Sequence, residues 1–270
     1  VNHAKIWRER SLGGAVMLRA EYRTHRFPPH EHAEYAIGFI EAGAQAYTLE
    51  RRHRVLMPAG SICLINSGQL HEGAPGMEAG WRYRMIYISA NDLHAATADS
   101  IDANAQPPIY FTESVVSDPW LLAQLQQAHL ASESSNLTDL EKSARLTAAL
   151  KALTHRHARY HNGVAPTAIL PGAVKRAREY IDAHFSQNPS LPEIAAVAGL
   201  SPFHLLRAFR HFTGMAPHAY LIQRRVEHAR HLLLKGLSLR VIAATVGYSD
   251  QAHLSREFRR FYGVPPSRIL

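Results

Sequence analysis

A chain of 270 residues with 46% apolar content is long enough for two domains with cores of their own, and neither half reads as disordered. It holds 30 Lys and Arg against 22 Asp and Glu, and the excess sits at one end: residues 171–270 carry 14 basic and 6 acidic side chains, residues 1–170 carry 16 of each. A basic domain beside a neutral one points to phosphate binding by that domain, while a single cysteine, Cys63, excludes a disulfide framework and a thiolate zinc site. No segment reaches the ~18 apolar residues of a membrane span, and no basic stretch leads into an apolar run at the N-terminus. The expectation is a cytoplasmic protein with no membrane partner.

From about Val16 to Ile88 the chain reads as short strands. Period-two alternation with Gly and Pro punctuation recurs in Ala36–Ile40, Ala46–Leu49, Ser61–Ile65 and Arg82–Ile88, which predicts a small barrel or sandwich. Cys63 lies in an apolar run, where a buried small hydrophobe is expected. Pro119 to about Tyr160 changes to helical character, split by the polar stretch Ser132–Asn136, so an antiparallel helix pair is predicted over about 119–160. The segment 161–172, with Asn, two Pro and two Gly, reads as the linker between domains 1–160 and 173–270.

Histidines are the chemical feature of the first domain. On a strand, His30 and His32 share one face with Glu34, and His71 arrives after a turn. Three imidazoles and a carboxylate make a donor set for a metal, with His30, His32 and His71 as candidates. The preferred reading makes the same groups hydrogen-bond partners of a small organic ligand, with Tyr47, Trp81, Tyr83 and Tyr87 as either pocket wall or core. No cofactor is expected.

The last third contains one pattern twice. Ile194-Ala195, Gly199, Ser201, Leu205, Arg207, Phe209-Arg210, Gly214 and Pro217 recur as Ile242-Ala243, Gly247, Ser249, Leu254, Arg256, Phe258-Arg259, Gly263 and Pro266, offset by 48 residues up to the serines and 49 beyond them. In each copy a short apolar helix (Leu191–Ala198; Leu239–Val246) stops at a glycine, and Ser201 or Ser249 stands where the next helix wants its N-cap. Leu205, Phe209, Phe212 and Leu254, Phe258, Phe261 fall at i, i+4, i+7, predicting one buried stripe per copy. The opposite faces carry Phe203, Leu206, Arg207, Arg210 and Gln251, Ser255, Arg256, Arg259, among which Arg and Gln have the geometry to bond guanine and adenine edges. Between the copies Pro217–Lys235 reads as one helix of roughly 28 Å, a spacing that sets two recognition helices in successive major grooves. The predicted class is therefore α+β: a small β-barrel or sandwich with a helical pair, then an all-α domain of two helix-turn-helix units joined by a linker helix.

The stretch from about Val174 to Leu270 resembles the DNA-binding domain of AraC/XylS-type bacterial transcription regulators, most specifically in Gly247-Tyr248-Ser249-Asp250-Gln251 and Gly263-Val264-Pro265-Pro266. His30-Glu31-His32, Gly43, Pro58-Ala59-Gly60 and His71 resemble the cupin-like effector-binding and dimerisation domain that accompanies it. Asp92–Ser117 is left unassigned. The resemblance implies base contacts by Phe203, Leu206 and Arg207 and by Gln251, Ala252, Ser255 and Arg256. Leu206 replaces a polar residue common there and is restricted to apolar contact with a thymine methyl. Glu34 follows His32 more closely than in metal-binding cupins.

The leading expectation is a non-enzymatic, sequence-specific regulator that binds double-stranded DNA under control of a small-molecule effector held by His30, His32, Glu34, Tyr47, His71 and Tyr83. The resemblance adds a homodimer and activation through RNA polymerase. Two alternatives remain at this point: a metal-dependent cupin enzyme tethered to DNA, and a constitutive architectural DNA-binding protein.

Overall fold

The computed structural model describes residues 2–49, 53–98, 109–160 and 171–268; the expected linker 161–172 lies almost wholly outside them. The first domain runs β1 (His3–Glu9), β2 (Ala15–Tyr22), β3 (Phe27–His30), β4 (Tyr35–Leu49), β5 (His53–Pro58), β6 (Ile62–Ile65), β7 (His71–Pro75), β8 (Trp81–Ile88), α1 (Ala90–Thr97), β9 (Ile109–Phe111), β10 (Val115–Val116), α2 (Pro119–Glu133), α3 (Asp139–His157) and β11 (Ala158–Tyr160). The second runs α4 (Gly172–His184), α5 (Leu191–Ala198), α6 (Pro202–Thr213), α7 (Pro217–Leu233), α8 (Leu239–Thr245) and α9 (Gln251–Tyr262).

Two strands read separately, Ala36–Ile40 and Ala46–Leu49, are one bent strand. The first part of β4 pairs with β6 and β8, its second part with β5 and β7, and the register slips between Ile40 and Ala42. The bend follows from Gly43, whose φ is 73° and where an added Cβ would stand 2.1 Å from the Gly80 carbonyl oxygen. The sheet, in the order β1-β2-β8-β4-β6-β10 with β5, β7 and β3 beyond the bend, thus folds over an interior. β1, α1 and β9 were not read from the sequence, and the last residues of the expected helical pair form β11, which pairs with β9.

Alternation along the strands divides the side chains between two cores. Met17, Ile37, Phe39, Ile62, Leu64, Ile86 and Ile88 pack on Leu93, Leu121, Leu125, Leu146, Leu150 and Leu153 of α1, α2 and α3. The alternate positions Leu18, Ala20, Tyr22, Ala36, Ile40, Cys63, Ile65, Tyr83 and Met85 face inward and join Ile222, Val226, Ala229, Phe258 and Phe261 of the second domain. Both faces are therefore apolar, which accounts for near-continuous hydrophobic runs such as Ile62–Ile65. Burial pushes the Cys63 thiol up to about 12, so it behaves as a small hydrophobe.

One polar network is set between β8 and the helices. Arg84, 5% exposed, reaches Glu41 and Glu133 at 2.6 Å each. Its Nη1 donates to His129 Nδ1 at 3.1 Å, and His129 Nε2–H donates to the Met85 carbonyl at 3.2 Å, which fixes the neutral tautomer.

In the second domain α7 joins two cores. Tyr220 and Leu221 complete the α4, α5 and α6 cluster around Ile181, Ile194, Leu205 and Phe209, while Val226, Ala229 and Leu233 belong to the cluster of α8, α9 and the sheet interior. At 17 residues, ending at Leu233 rather than Lys235, α7 is about 25 Å long. Phe212, placed by periodicity on the buried stripe, is 40% exposed in the last turn of α6, which ends one residue later at the buried Thr213.

Burial, with the Arg84 charge second, lowers the His129 pKa to about 4 from the ordinary 6.5. Between pH 6.5 and about 4 the unfolded chain therefore holds a proton that the folded one lacks, and stability is lost as the pH falls through that window. For this ring the expected loss is about 1.4 kcal/mol per pH unit. Urea unfolding across pH 7 to 4.5 should show a slope shallower by that amount in His129→Gln; an unchanged slope would mean the ring is protonated in the fold.

Candidate ligand cavity and nucleic-acid interface

Short strands β3 and β7 bring the histidines together. His30 ends β3 and is paired in register with His71, the first residue of β7. The chain then leaves the sheet, so His32 enters the interior from a loop rather than from a strand. Ring centroids lie 4.2 Å apart for His30 and His71, 4.8 Å for His30 and His32, and 4.9 Å for His32 and His71. His30 Nδ1–H donates to the Pro28 carbonyl at 2.7 Å and His71 Nδ1–H to the Gln69 carbonyl at 2.9 Å. Burial lowers all three pKa values, that of His30 to about 4, and the rings are neutral near pH 7.

Tyr47, Tyr83, Tyr87, Phe27 and Gln45 line the same cavity as the three histidines. Trp81 lies outside it in the core, 2% exposed and packed on Tyr22 and Tyr83. Glu34 is also outside it, which corrects the expected four-residue set. Because β3 stops at His30, the His32–Glu34 alternation of a strand is lost, and Glu34 instead pairs with Arg230 of α7 at 2.8 Å.

The mouth of the cavity is closed by the second domain. A continuing chamber is walled by Tyr22, His30, His32 and Tyr87 on one side and by Gln223, Val226, Glu227, Phe261 and Tyr262 on the other. Arg230, 7% exposed through its side chain, lies over the Tyr87 and Tyr262 rings at 5.4 and 5.8 Å. Burial opposes its charge, but Tyr262, Glu34, Tyr87 and Glu227 outweigh that and hold the guanidinium protonated. Around it, Gln223 Nε2 donates to the Glu31 carbonyl at 2.5 Å, Arg178 pairs with the Glu31 carboxylate, and the Tyr22 hydroxyl donates to the Tyr262 carbonyl at 2.6 Å. The two chambers are small, about 40 and 20 Å³.

The sequence singled out Phe261 as part of a buried helix stripe, and it read none of these roof residues as a cavity wall. Arg230 left a trace: it sits one turn after Val226 and one before Leu233, a charge on the apolar stripe of α7.

The recognition faces point away from this interface. Phe203 is 63% and Leu206 39% exposed on α6, beside exposed Arg207 and Arg210; Gln251, Ala252, Arg256 and Arg259 are exposed on α9, with Ser255 half-buried. Among the described residues none of these four arginines has an ion-pair partner, whereas Arg178, Arg224 and Arg230 behind them do. Arg207 lies over the Phe203 ring at 5.8 Å. The two turns differ at one point. Ser201 caps α6, but α9 is capped by Asp250, whose carboxylate accepts from the His253 amide at 2.7 Å, and Ser249 hydrogen-bonds to Asp250. The inserted residue of the second copy thus moves the cap one position on. Gly247, at φ 86°, precedes it where a Cβ would meet the Ser186 carbonyl oxygen at 2.5 Å.

A folded sheet with an interior cavity, joined to paired helix-turn-helix units with free arginines, defines a ligand-responsive DNA-binding protein. Residues 12–150 match the AraC-like ligand binding domain and residues 194–270 a helix-turn-helix domain. The chain is 26% identical over 232 residues to the HTH-type transcriptional regulator YbfI of Bacillus subtilis (strain 168), covering 85% of this chain and 82% of that one. It is 33% identical over 94 residues to the regulatory protein PocR of Salmonella typhimurium, covering 34% of this chain and 31% of that one. Its fold is similar to that of ToxT from Vibrio cholerae, with TM-score 0.55 at 13% identity over 98% of this chain and 95% of that one. The unsaturated fatty acid bound form of ToxT gives TM-score 0.54 at 12% identity over 99% and 93%. The chain belongs to the AraC-type family of transcription regulators, with an effector-binding domain followed by a helix-turn-helix DNA-binding domain. Its relatives are regulators, not enzymes.

Asp250→Ala should remove the N-cap and destabilise α9, and Ser249→Ala should leave it nearly unchanged. Hydrogen exchange of the α9 amides reads both; equal losses would return the cap to Ser249.

Proposed function

We propose that this regulator holds its effector in the histidine-lined interior and that the effector acts by changing how α7 and α9 sit on the mouth. One observation carries the reading: the cavity is walled jointly by the sheet and by the two helices that also place the second recognition face. Pockets for organic ligands usually measure ~300–1,000 Å³, far more than the two chambers offer together. An organic effector therefore fits only a state in which the roof has moved, and its differential affinity for that state drives the change. The fatty acid bound to ToxT makes a ligand with an apolar body and a polar head the natural class to test, and the aromatic walls with His30, His32, Tyr47, His71 and Tyr83 match it chemically.

Base readout is assigned to Phe203, Leu206, Arg207 and Arg210 in the first unit and to Gln251, Ala252, Ser255, Arg256 and Arg259 in the second. Supporting it are the exposure of both faces and the unpaired arginines, which leave the charge of residues 171–270 available to phosphates and base edges. The protein works in the cytoplasm as a homodimer; Trp120, Leu130 and Leu140, exposed on the helical pair, supply apolar area for a second copy. Activation through contact with RNA polymerase rests on the family resemblance.

Selection of sheared genomic DNA on the full-length protein at physiological salt tests the core of this reading. A few enriched sites about two helical turns long support it, whereas retention without enrichment returns the architectural alternative. On a selected site, Arg256→Ala should lose about 1–3 kcal/mol with little change on random DNA; an equal loss on both would make Arg256 a phosphate contact. At the roof, Glu34→Gln should accelerate amide exchange in Phe258–Tyr262 severalfold and leave Leu146–Leu153 of α3 unchanged, while unchanged exchange in both would detach Glu34 from the closure.

A further inference from the structure

A second concavity, of about 730 Å³, opens along β1 and differs from the histidine cavity in both size and charge. Its volume falls within the ~300–1,000 Å³ usual for a small-molecule pocket. Among the described residues β1 is an edge strand, paired with β2 alone, so its second edge is open and side chains from both of its faces reach the groove. Lys5 and Trp7 come from one face, Ile6 and Arg8 from the other, and Arg10 from the turn that follows. The second domain supplies the rest of the wall with Leu234 and Lys235, which leave the end of α7.

The lining holds four cations and no carboxylate. Lys5 pairs with Glu133 at 3.3 Å and lies over the Trp7 ring at 5.1 Å. Arg8, Arg10 and Lys235 are exposed and have no ion-pair partner among the described residues. Arg8 is positioned by Gly14, whose φ is 83° and where a Cβ would stand 2.5 Å from the Arg8 Nε, so the guanidinium lies along the turn that walls the groove. Charges from the two domains converge here: burial first, then Lys235 and Arg8, lower the His231 pKa. At the end of α7 the carbonyls of Arg230, Leu232 and Leu233 accept from the amides of Leu234 to Leu237, so the negative end of the helix is satisfied within its own turn.

We propose that this groove is a second ligand site, separate from the histidine cavity, for a small polyanion of the nucleoside polyphosphate class. Three cations without partners match several negative charges on one molecule, and arginine forks bond phosphate oxygens two at a time. Trp7, half-buried, with Ile6 and Leu234 gives an apolar and aromatic wall for a base. Because the cations come from both domains, the bound anion offsets the repulsion between Arg8 and Lys235 and ties the end of α7 to β1. The same helix carries part of the roof of the histidine cavity, so the polyanion holds that roof seated and opposes an effector that lifts it. This last consequence rests on the effector reading above; the site itself does not.

Calorimetric titration of the full-length protein with ATP and, in parallel, GTP at physiological salt without divalent ions tests the site. Saturable binding of one equivalent of at least one of them is expected. Arg8→Gln and Lys235→Gln should each weaken it roughly tenfold, as loss of a charge-assisted contact does, while Arg145→Gln, which removes an equal charge from the exposed side of α3, should not. Absence of saturable binding of either nucleotide, or equal weakening in all three variants, overturns the proposal. Displacement of the nucleotide by a random-sequence duplex, together with weaker duplex binding in Arg8→Gln and Lys235→Gln, makes the groove a DNA-backbone contact and overturns it as well. In the parent, where no variant has to fold, saturating nucleotide should slow amide exchange in residues 3–14 and 234–237; unchanged exchange there overturns the site. Slower exchange in Phe258–Tyr262 is expected of the tie between the domains, and unchanged or faster exchange in that segment overturns the tie alone. The effector reading is tested without nucleotide, so its failure leaves the nucleotide result standing, and a failed titration leaves that reading intact.

Discussion

The central strands of the ligand-binding domain's sheet are buried on both faces, and much of the molecule follows from that constraint. Strand alternation puts Met17, Ile37 and Ile86 on one side and Leu18, Ile40 and Met85 on the other, all of them buried. The domain's own helices α1, α2 and α3 cover the first side. Among the described residues, α7 and α9 of the second domain cover the mouth of the second side with Val226, Phe261 and Tyr262. Burial of apolar area favours this docking, and on the proposed reading the DNA-binding domain sits on the surface that receives a ligand.

Polar contacts at the mouth give that docking its register. Arg230 is deeply buried, flanked by Tyr87 and Tyr262 and paired with Glu34. A buried pair of this kind adds little net stability over an apolar substitute, but losing one partner is costly because the other charge is stranded. Whatever takes Glu34 away from Arg230 must bring another acceptor or admit water. On the proposed reading, α7 is either seated with this pair intact or lifted far enough to hydrate the guanidinium. The recognition faces, whose arginines have no ion pair among the described residues, are not among the residues that wall the cavity.

The second helix-turn-helix unit shows how one inserted residue is absorbed. Ser201 and Ser249 are equivalent by pattern, yet the cap passes to Asp250, while Gly247 packs against the Ser186 carbonyl. Hydrophobic positions Leu254 and Phe258 shift with the helix and remain buried. Cap identity is decided by which side chain meets the first free amides, and an aspartate one residue on does so as well as a serine.

Helix-turn-helix units, their glycine turns, the linker helix and the basic outer faces were legible in the sequence because they are written in interactions within a few residues: caps, i to i+4 stripes and left-handed glycines. The short strands were legible for the same reason, though Gly43 was needed to show that two of them are one bent strand. The meeting of His30 and His71 was visible as composition but not as geometry. Hidden altogether were the roof and the fate of Glu34. Glu34 and Arg230 are 196 residues apart in the chain, as remote as Glu31 and Gln223 at 192. No local period records which surface a distant helix will cover. The sequence alone determined what each domain is; the tertiary structure decided that one closes the other's cavity, because only packing fixes which buried charge finds which partner.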